Sequence, residues 1–183
     1  GERAWSKSLV SVNGKSYAVE SDESGRYYVE ANASSSGTYN AILTNSNSSG
    51  WYGSSAYADV KLPYSQFWTA TAASLQSYPM YGSYTKENGN KLVFDDAFAV
   101  LDVSLTGSAR IASVKVENLA ESPVAGFANF LPSRGYLSVT DGVGFAVLNC
   151  TDNGKCVPLD SGTPKHFYVM LAPGDYPSGL KIT

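Results

Sequence analysis

Residues 91–118, KLVFDDAFAVLDVSLTGSARIASVKVEN, constrain the fold more than any other stretch of the chain. They read as a first strand over 92–95, a longer strand over 97–105, a reversal at Thr106-Gly107-Ser108 and a return strand over 111–117. In the longer strand Ala99, Leu101, Val103 and Leu105 share one face, and Asp102 and Ser104 take the other. In the return strand Ala112, Val114 and Val116 alternate with Ser113, Lys115 and Glu117. Side chains in a strand change face at every residue, so each pattern describes a strand with one face in a core and one toward water. A helix would scatter Leu101, Val103 and Leu105 around its circumference. The spacing predicts the middle of an antiparallel β domain.

The rest of the chain extends that plan. Asn-Gly ahead of a strand favours a type I′ hairpin turn, which needs positive φ at both central positions. Such pairs occur at Asn13-Gly14, Asn88-Gly89 and Asn153-Gly154. Strands are expected over 5–12, 15–20, 26–31 and 57–64, and a meander-like, hairpin-rich order follows. Residues 32–55 read as loop around a short apolar patch at 39–43, and 66–77 carry weak helical character around 70–75. Beyond the central reversal, 124–130, 135–140, 143–150, 156–159, 166–171 and 180–183 read as short strands separated by Gly, Pro and Asp. Many short strands with frequent turn signals argue for an antiparallel β-sandwich, not a parallel α/β fold.

Composition agrees. Charged residues are 16% of the 183, against about a quarter in an average domain, and 13 Tyr and 17 Gly suit strands and turns. The length fits a single β-sandwich domain over 1–183. A net charge of −3 without a basic stripe argues against nucleic acid as a partner. No apolar run reaches the roughly eighteen residues of a membrane span. The opening Gly-Glu-Arg-Ala-Trp reads as a mature start, with any export signal or lipid anchor lost before it.

Chemistry is sparse in the sequence. His166 is the single histidine and sits in a strand entering an apolar run, where a structural role is expected. There is no GxSxG elbow, no phosphate-binding glycine loop and no dinucleotide fingerprint. Asp95 and Asp96 are adjacent in a strand and point to opposite faces, so they do not make a glycosidase pair by themselves. Two cysteines and one distant histidine are too few for zinc. No enzyme activity, cofactor or metal is expected. Cys150 and Cys156 form a disulfide candidate whose fate depends on turn register. A three-residue loop, Asp152-Asn153-Gly154, sets Cys150 opposite Cys156, whereas a two-residue loop on Asn153-Gly154 pairs Cys150 with Val157. Trp51, Tyr52, Tyr57 and Trp68 lie in or near loops and are candidate ligand-facing aromatics for a glycan or host ligand.

The order of several short patterns resembles the fimbrillin-like surface proteins of Bacteroidetes. They are Val60-Lys61-Leu62-Pro63-Tyr64-Ser65-Gln66, Tyr78-Pro79-Met80-Tyr81, Leu92-Val93-Phe94, Ile111-Ala112-Ser113-Val114-Lys115-Val116 and Val124-Ala125-Gly126. Leu148-Asn149-Cys150, Gly174-Asp175-Tyr176 and Gly179-Leu180-Lys181-Ile182-Thr183 continue the series to the end of the family's N-terminal domain. The resemblance implies a transthyretin-like β-sandwich, exported as a lipoprotein, displayed on the cell surface and held there by a lipid anchor outside this chain. It implies pilus assembly with other pilin-like subunits by strand exchange. The displaced strand then lies near 5–12, with Arg3 or Lys7 as cleavage points, and a second domain follows Thr183. The alternative expectation is a carbohydrate- or host-ligand-binding module of a surface lipoprotein.

Overall fold

The structure, a computed structural model, describes residues 8–12, 15–24, 27–30, 39–45, 58–70, 80–84, 93–131, 134–152 and 154–183. Among these the chain forms strands and turns and no helix. The first strands are β1 Ser8–Val12, β2 Lys15–Ala18, β3 Glu20–Ser21, β4 Tyr27–Tyr28, β5 Tyr39–Asn45 and β6 Ala58–Leu62. Then come β7 Ser65–Phe67, β8 Met80–Tyr84, β9 Asp95–Asp96, β10 Ala99–Leu105, β11 Arg110–Ile111 and β12 Ser113–Asn118. The last are β13 Ala125–Leu131, β14 Tyr136–Val143, β15 Phe145–Asn149, β16 Thr151–Asp152, β17 Lys155–Pro158, β18 Lys165–Leu171 and β19 Leu180–Ile182. The fold is all-β, built from several antiparallel sheets as in a β-sandwich; among the described residues only β7 and β15 pair in parallel.

Among the described residues two apolar clusters fill the interior. The first gathers Val10, Val12, Ala41, Ile42, Leu43, Val60, Leu62 and Phe130, supplied by the β2-β1-β5-β8-β9 sheet and the β14-β13-β6 sheet. The second gathers Val103, Val114, Val116, Leu148, Phe167 and Val169 from β10, β12, β15 and β18. Strand β18 lies between them. Phe167, Val169 and Leu171 join the second cluster, while Met170 joins the first and Tyr168 packs against it. Burial on both faces explains why its sequence turns from alternating to continuously apolar toward the end. The same reasoning applies to β5. The patch at 39–43, expected as a short strand within loop, is an inner strand in which Ala41, Ile42 and Leu43 are all buried.

The faces expected for residues 97–117 hold in part, and their pairing does not. Val103, Val114 and Val116 are buried, Asp102 and Ser104 exposed, and Ala112 is exposed against expectation. Yet β10 and β12 are not a hairpin: β10 pairs with β18, and β12 with β15 and β19. The reversal at Gly107 is a corner between sheets. Gly107 takes φ 145°, its N–H donates to the Asp160 carbonyl at 3.0 Å, and β11 then pairs with β17. Period-two alternation fixes which face is buried but carries no information about the neighbouring strand. The sheet order β2-β1-β5-β8-β9 is likewise not a meander.

Other expectations sort by position. Val12 pairs with Lys15 on either side of Asn13-Gly14; these two residues and Asn88-Gly89 fall outside the described residues. Of the stretch expected to carry helical character, Gln66 and Phe67 are strand, and 71–79 lie outside the described residues. On β13 and β14, Gly126 and Gly142 face each other so closely that a Cβ on Gly126 would come within 2.3 Å of the Asp141 carbonyl oxygen. Gly126 has φ 138°, which L side chains seldom adopt.

Candidate functional site

The feature with clearest functional content is the outer edge of β10. All seven residues of β10 pair with β18 without a register shift. In an antiparallel pair alternate residues turn their N–H and C=O away from the partner strand. On β18 these are the even-numbered residues. The Met170 N–H donates to Gln66 Oε1 and its carbonyl accepts from Gln66 Nε2, each at 2.8 Å. The His166 carbonyl accepts from Trp68 Nε1 at 3.1 Å, and the Ala172 N–H donates to the Val124 carbonyl at 2.8 Å. The buried Gln66 carboxamide thus stands in for a peptide group of a neighbouring strand and joins β18 to β7. By the same alternation Val100, Asp102 and Ser104 direct their backbone groups outward from β10, and no described residue bonds them.

The other described edges are shorter or blunted. β14 carries a bulge between the Phe127 and Ala128 pairings, β6 runs into Pro63, and β9 and β19 have two and three residues. Bulges, prolines and short lengths discourage edge-to-edge pairing. β10 has none of these. Leu101 and Leu105, on its inward face, are only half-buried, and Val100 is 37% exposed. A further strand along this edge would cover all three.

The outward face of the pair carries Asp102, Ser104, His166 and Tyr168. His166 Nδ1 lies 2.9 Å from both Asp102 carboxylate oxygens, so the Nδ1–H tautomer is the one that bonds. The imidazole stacks on Tyr168 at 5.9 Å and 9°. An aspartate orienting an imidazole is two-thirds of a hydrolytic triad, but activation also needs a nucleophile bonded to the other ring nitrogen. Ser104 is opposite His166 in register, yet no hydrogen bond joins them, and all the groups are solvent-exposed. As it stands, the pair ties β10 to β18 across their outer face.

The remaining candidate residues are not brought together. Trp51, Tyr52 and Tyr57 lie outside the described residues, as do Arg3 and Lys7. Trp68 is half-buried, tilted against Phe167 at 6.5 Å and beneath Lys165 Nζ at 5.9 Å, so its ring is packing and not a free ligand surface. Asp95 and Asp96 form the short exposed strand β9. β1, at the place expected for a displaced edge strand, pairs on both sides, with β2 and β5. A cut at Arg3 or Lys7 precedes β1 and leaves it covalently joined to β2.

The cysteines are both free, so of the two turn registers that the sequence left open the structure takes the one without a disulfide. Thr151 pairs with Cys156 and Asp152 with Lys155, leaving two positions at the tip with Gly154 at φ 75°. The Val157 N–H donates to the Cys150 carbonyl. In this two-residue register Cys150 faces the core and Cys156 takes the opposite face, so the sulfurs diverge. Burial pushes the Cys150 thiol up to about 11.

Exposed aromatics do occur, at positions the sequence did not single out: Phe67 is 71% and Tyr64 49% exposed. The alternation in Ser65-Gln66-Phe67 was hidden because the inward residue is polar. Among the described residues no group of three or more His, Cys, Asp or Glu is placed to hold a metal ion. No described helix is long and apolar enough to cross a membrane. In comparisons with known proteins, no family model, curated protein or solved structure matches the chain.

Proposed function

We propose that this protein is a non-enzymatic, cell-surface structural subunit of the fimbrillin-like, transthyretin-like type, which assembles by accepting a strand from a neighbouring pilin-like subunit along β10. The observation that carries this reading is the seven-residue, bulge-free edge of β10 with outward N–H and C=O groups at Val100, Asp102 and Ser104. A donated strand would bond to those groups and place alternate side chains over half-buried Leu101 and Leu105. At a net of about 1 kcal/mol per hydrogen bond, six such bonds supply about 6 kcal/mol before the cost of association. Specific affinity must therefore come from the side chains as well.

The test is an unboiled denaturing gel of the purified chain at high concentration, since strand addition at β10 requires no cleavage ahead of β1. The expected result is a ladder of SDS-resistant multimers that is lost in Ser104→Pro. That substitution removes an outward N–H while sparing the β10–β18 bonds, which run through the odd-numbered residues. Val100→Lys, which charges the same edge, should also abolish the ladder. A wild-type sample that stays monomeric, or a ladder that survives both substitutions, overturns the reading.

A further inference from the structure

We propose that the outer face of the β7–β15 pair is a carbohydrate-binding platform that takes one pyranose ring of a neutral glycan against Phe67. This goes beyond strand addition, because it uses different strands from β10. Three observations carry it. Phe67, 71% exposed, offers an open ring face to solvent from a strand whose next residue inward, Gln66, is fully engaged in the interior. Asn149 lies beside Phe67 in the parallel register, and its carboxamide is locked: Nδ2 donates to Ser65 Oγ and to the Gln66 carbonyl, each at 3.1 Å. No described residue donates to Asn149 Oδ1, which leaves a fixed acceptor next to an exposed aromatic. Tyr64, at the other end of the strand pair, is a second exposed ring, edge-on to Phe145 at 6.2 Å and 71°.

A pyranose has an apolar C–H face and a rim of hydroxyls, and a flat ring flanked by a fixed amide matches both. Preorganisation matters because an acceptor already held in place loses little freedom on binding. Size argues against a protein occupant. At roughly 200 Å² per ring, the exposed parts of Phe67 and Tyr64 make about 240 Å², against about 800 Å² per partner in a stable interface. Ser65 and Asn149 also interrupt the patch with polar groups, unlike the apolar centre of a subunit contact.

The experiment is NMR titration of the labelled full chain with maltohexaose, chitotetraose and lacto-N-tetraose. The signals followed are the Asn149 side-chain amide and the Phe67 backbone amide. At least one oligosaccharide should shift both, and Phe67→Ala should weaken that binding at least tenfold with an unchanged melting temperature. The proposal is overturned if none of the three shifts these signals, or if Phe67→Ala binds as the wild type does. It is also overturned if sedimentation shows a concentration-dependent dimer that Phe67→Ala abolishes, since the face would then be a contact between copies.

Discussion

Replacing Gln66 by methionine tests whether a side chain closes the inner edge of β18. Gln66 is 3% exposed, and its carboxamide makes three hydrogen bonds: to the Met170 N–H, to the Met170 carbonyl and to the Pro63 carbonyl. Methionine fills nearly the same volume but leaves the buried Met170 donor and acceptor unpaired. Each such orphan costs about 1–3 kcal/mol, and removing a buried amide returns about 1 kcal/mol, so the expected loss is about 3 kcal/mol. For a domain of this size that corresponds to a fall of about 6–12 °C in melting temperature. Urea unfolding should show a lower midpoint with unchanged slope. Gln66→Glu sharpens the test: a protonated carboxyl reproduces both bonds to Met170, whereas an ionised one still accepts from the Met170 N–H but meets the Met170 carbonyl with no proton to donate. Burial raises the native-state pKa of that carboxyl, so the variant's deficit should be small at acid pH. It should widen as pH rises above the unfolded-state value of about 4.3. A Gln66→Met variant within about 0.5 kcal/mol of wild type, or a Gln66→Glu deficit independent of pH, refutes the reasoning.

Four further outcomes follow from the packing and the thiols. In the native protein a thiol reagent at pH 8 should modify Cys156 promptly and Cys150 only on unfolding, and the two should be recovered as free thiols under non-reducing conditions. Because the Cys150 thiol is raised to about 11 in the folded state, its contribution to stability is present below about pH 9 and lost as pH rises toward 11; Cys150→Ala should flatten that part of a stability–pH curve. Phe167→Ala should cost about 3–5 kcal/mol in urea unfolding, since its ring is fully buried in the second cluster. Gly126→Ala should be more damaging than an ordinary strand substitution, by about 2 kcal/mol or more, because the new Cβ meets the Asp141 carbonyl at a φ of 138°; circular dichroism and yield of soluble protein read this directly.

The elements themselves were largely legible. β10, β12, β13, β15 and β18 fall within a few residues of their expected bounds because each has alternating or continuous apolar residues over five to seven positions. The pairing of β1 with β2 was legible too, because Asn-Gly between two strand patterns is a local signal for a hairpin, and Val12 pairs with Lys15 on either side of it. What joins the other elements was not legible. β10 and β12 both present an apolar face to one core, and from the sequence that is the same signal whether they lie side by side or in opposite layers. The Gln66 bridge hid behind a polar residue at an inward position, where period-two reasoning expects an apolar one. Trp68 looked like a loop aromatic, because its partners, Phe167 and the His166 carbonyl, are about a hundred residues away. The cysteine pairing turned on a single residue of turn length. That no described strand flanks the outer side of β10 could not be read at all, since an edge is defined by the strand that is not next to it.

Residue-resolved amide exchange on β10, in dilute protein and in its assembled form, reads strand addition at this edge residue by residue. Val100, Asp102 and Ser104 should exchange rapidly in the dilute monomer, while Leu101 and Val103, bonded to β18, should be protected. In the assembled material the three fast amides should become protected as well. Slow exchange at these positions in the monomer, or unchanged fast exchange after assembly, would contradict strand addition at this edge.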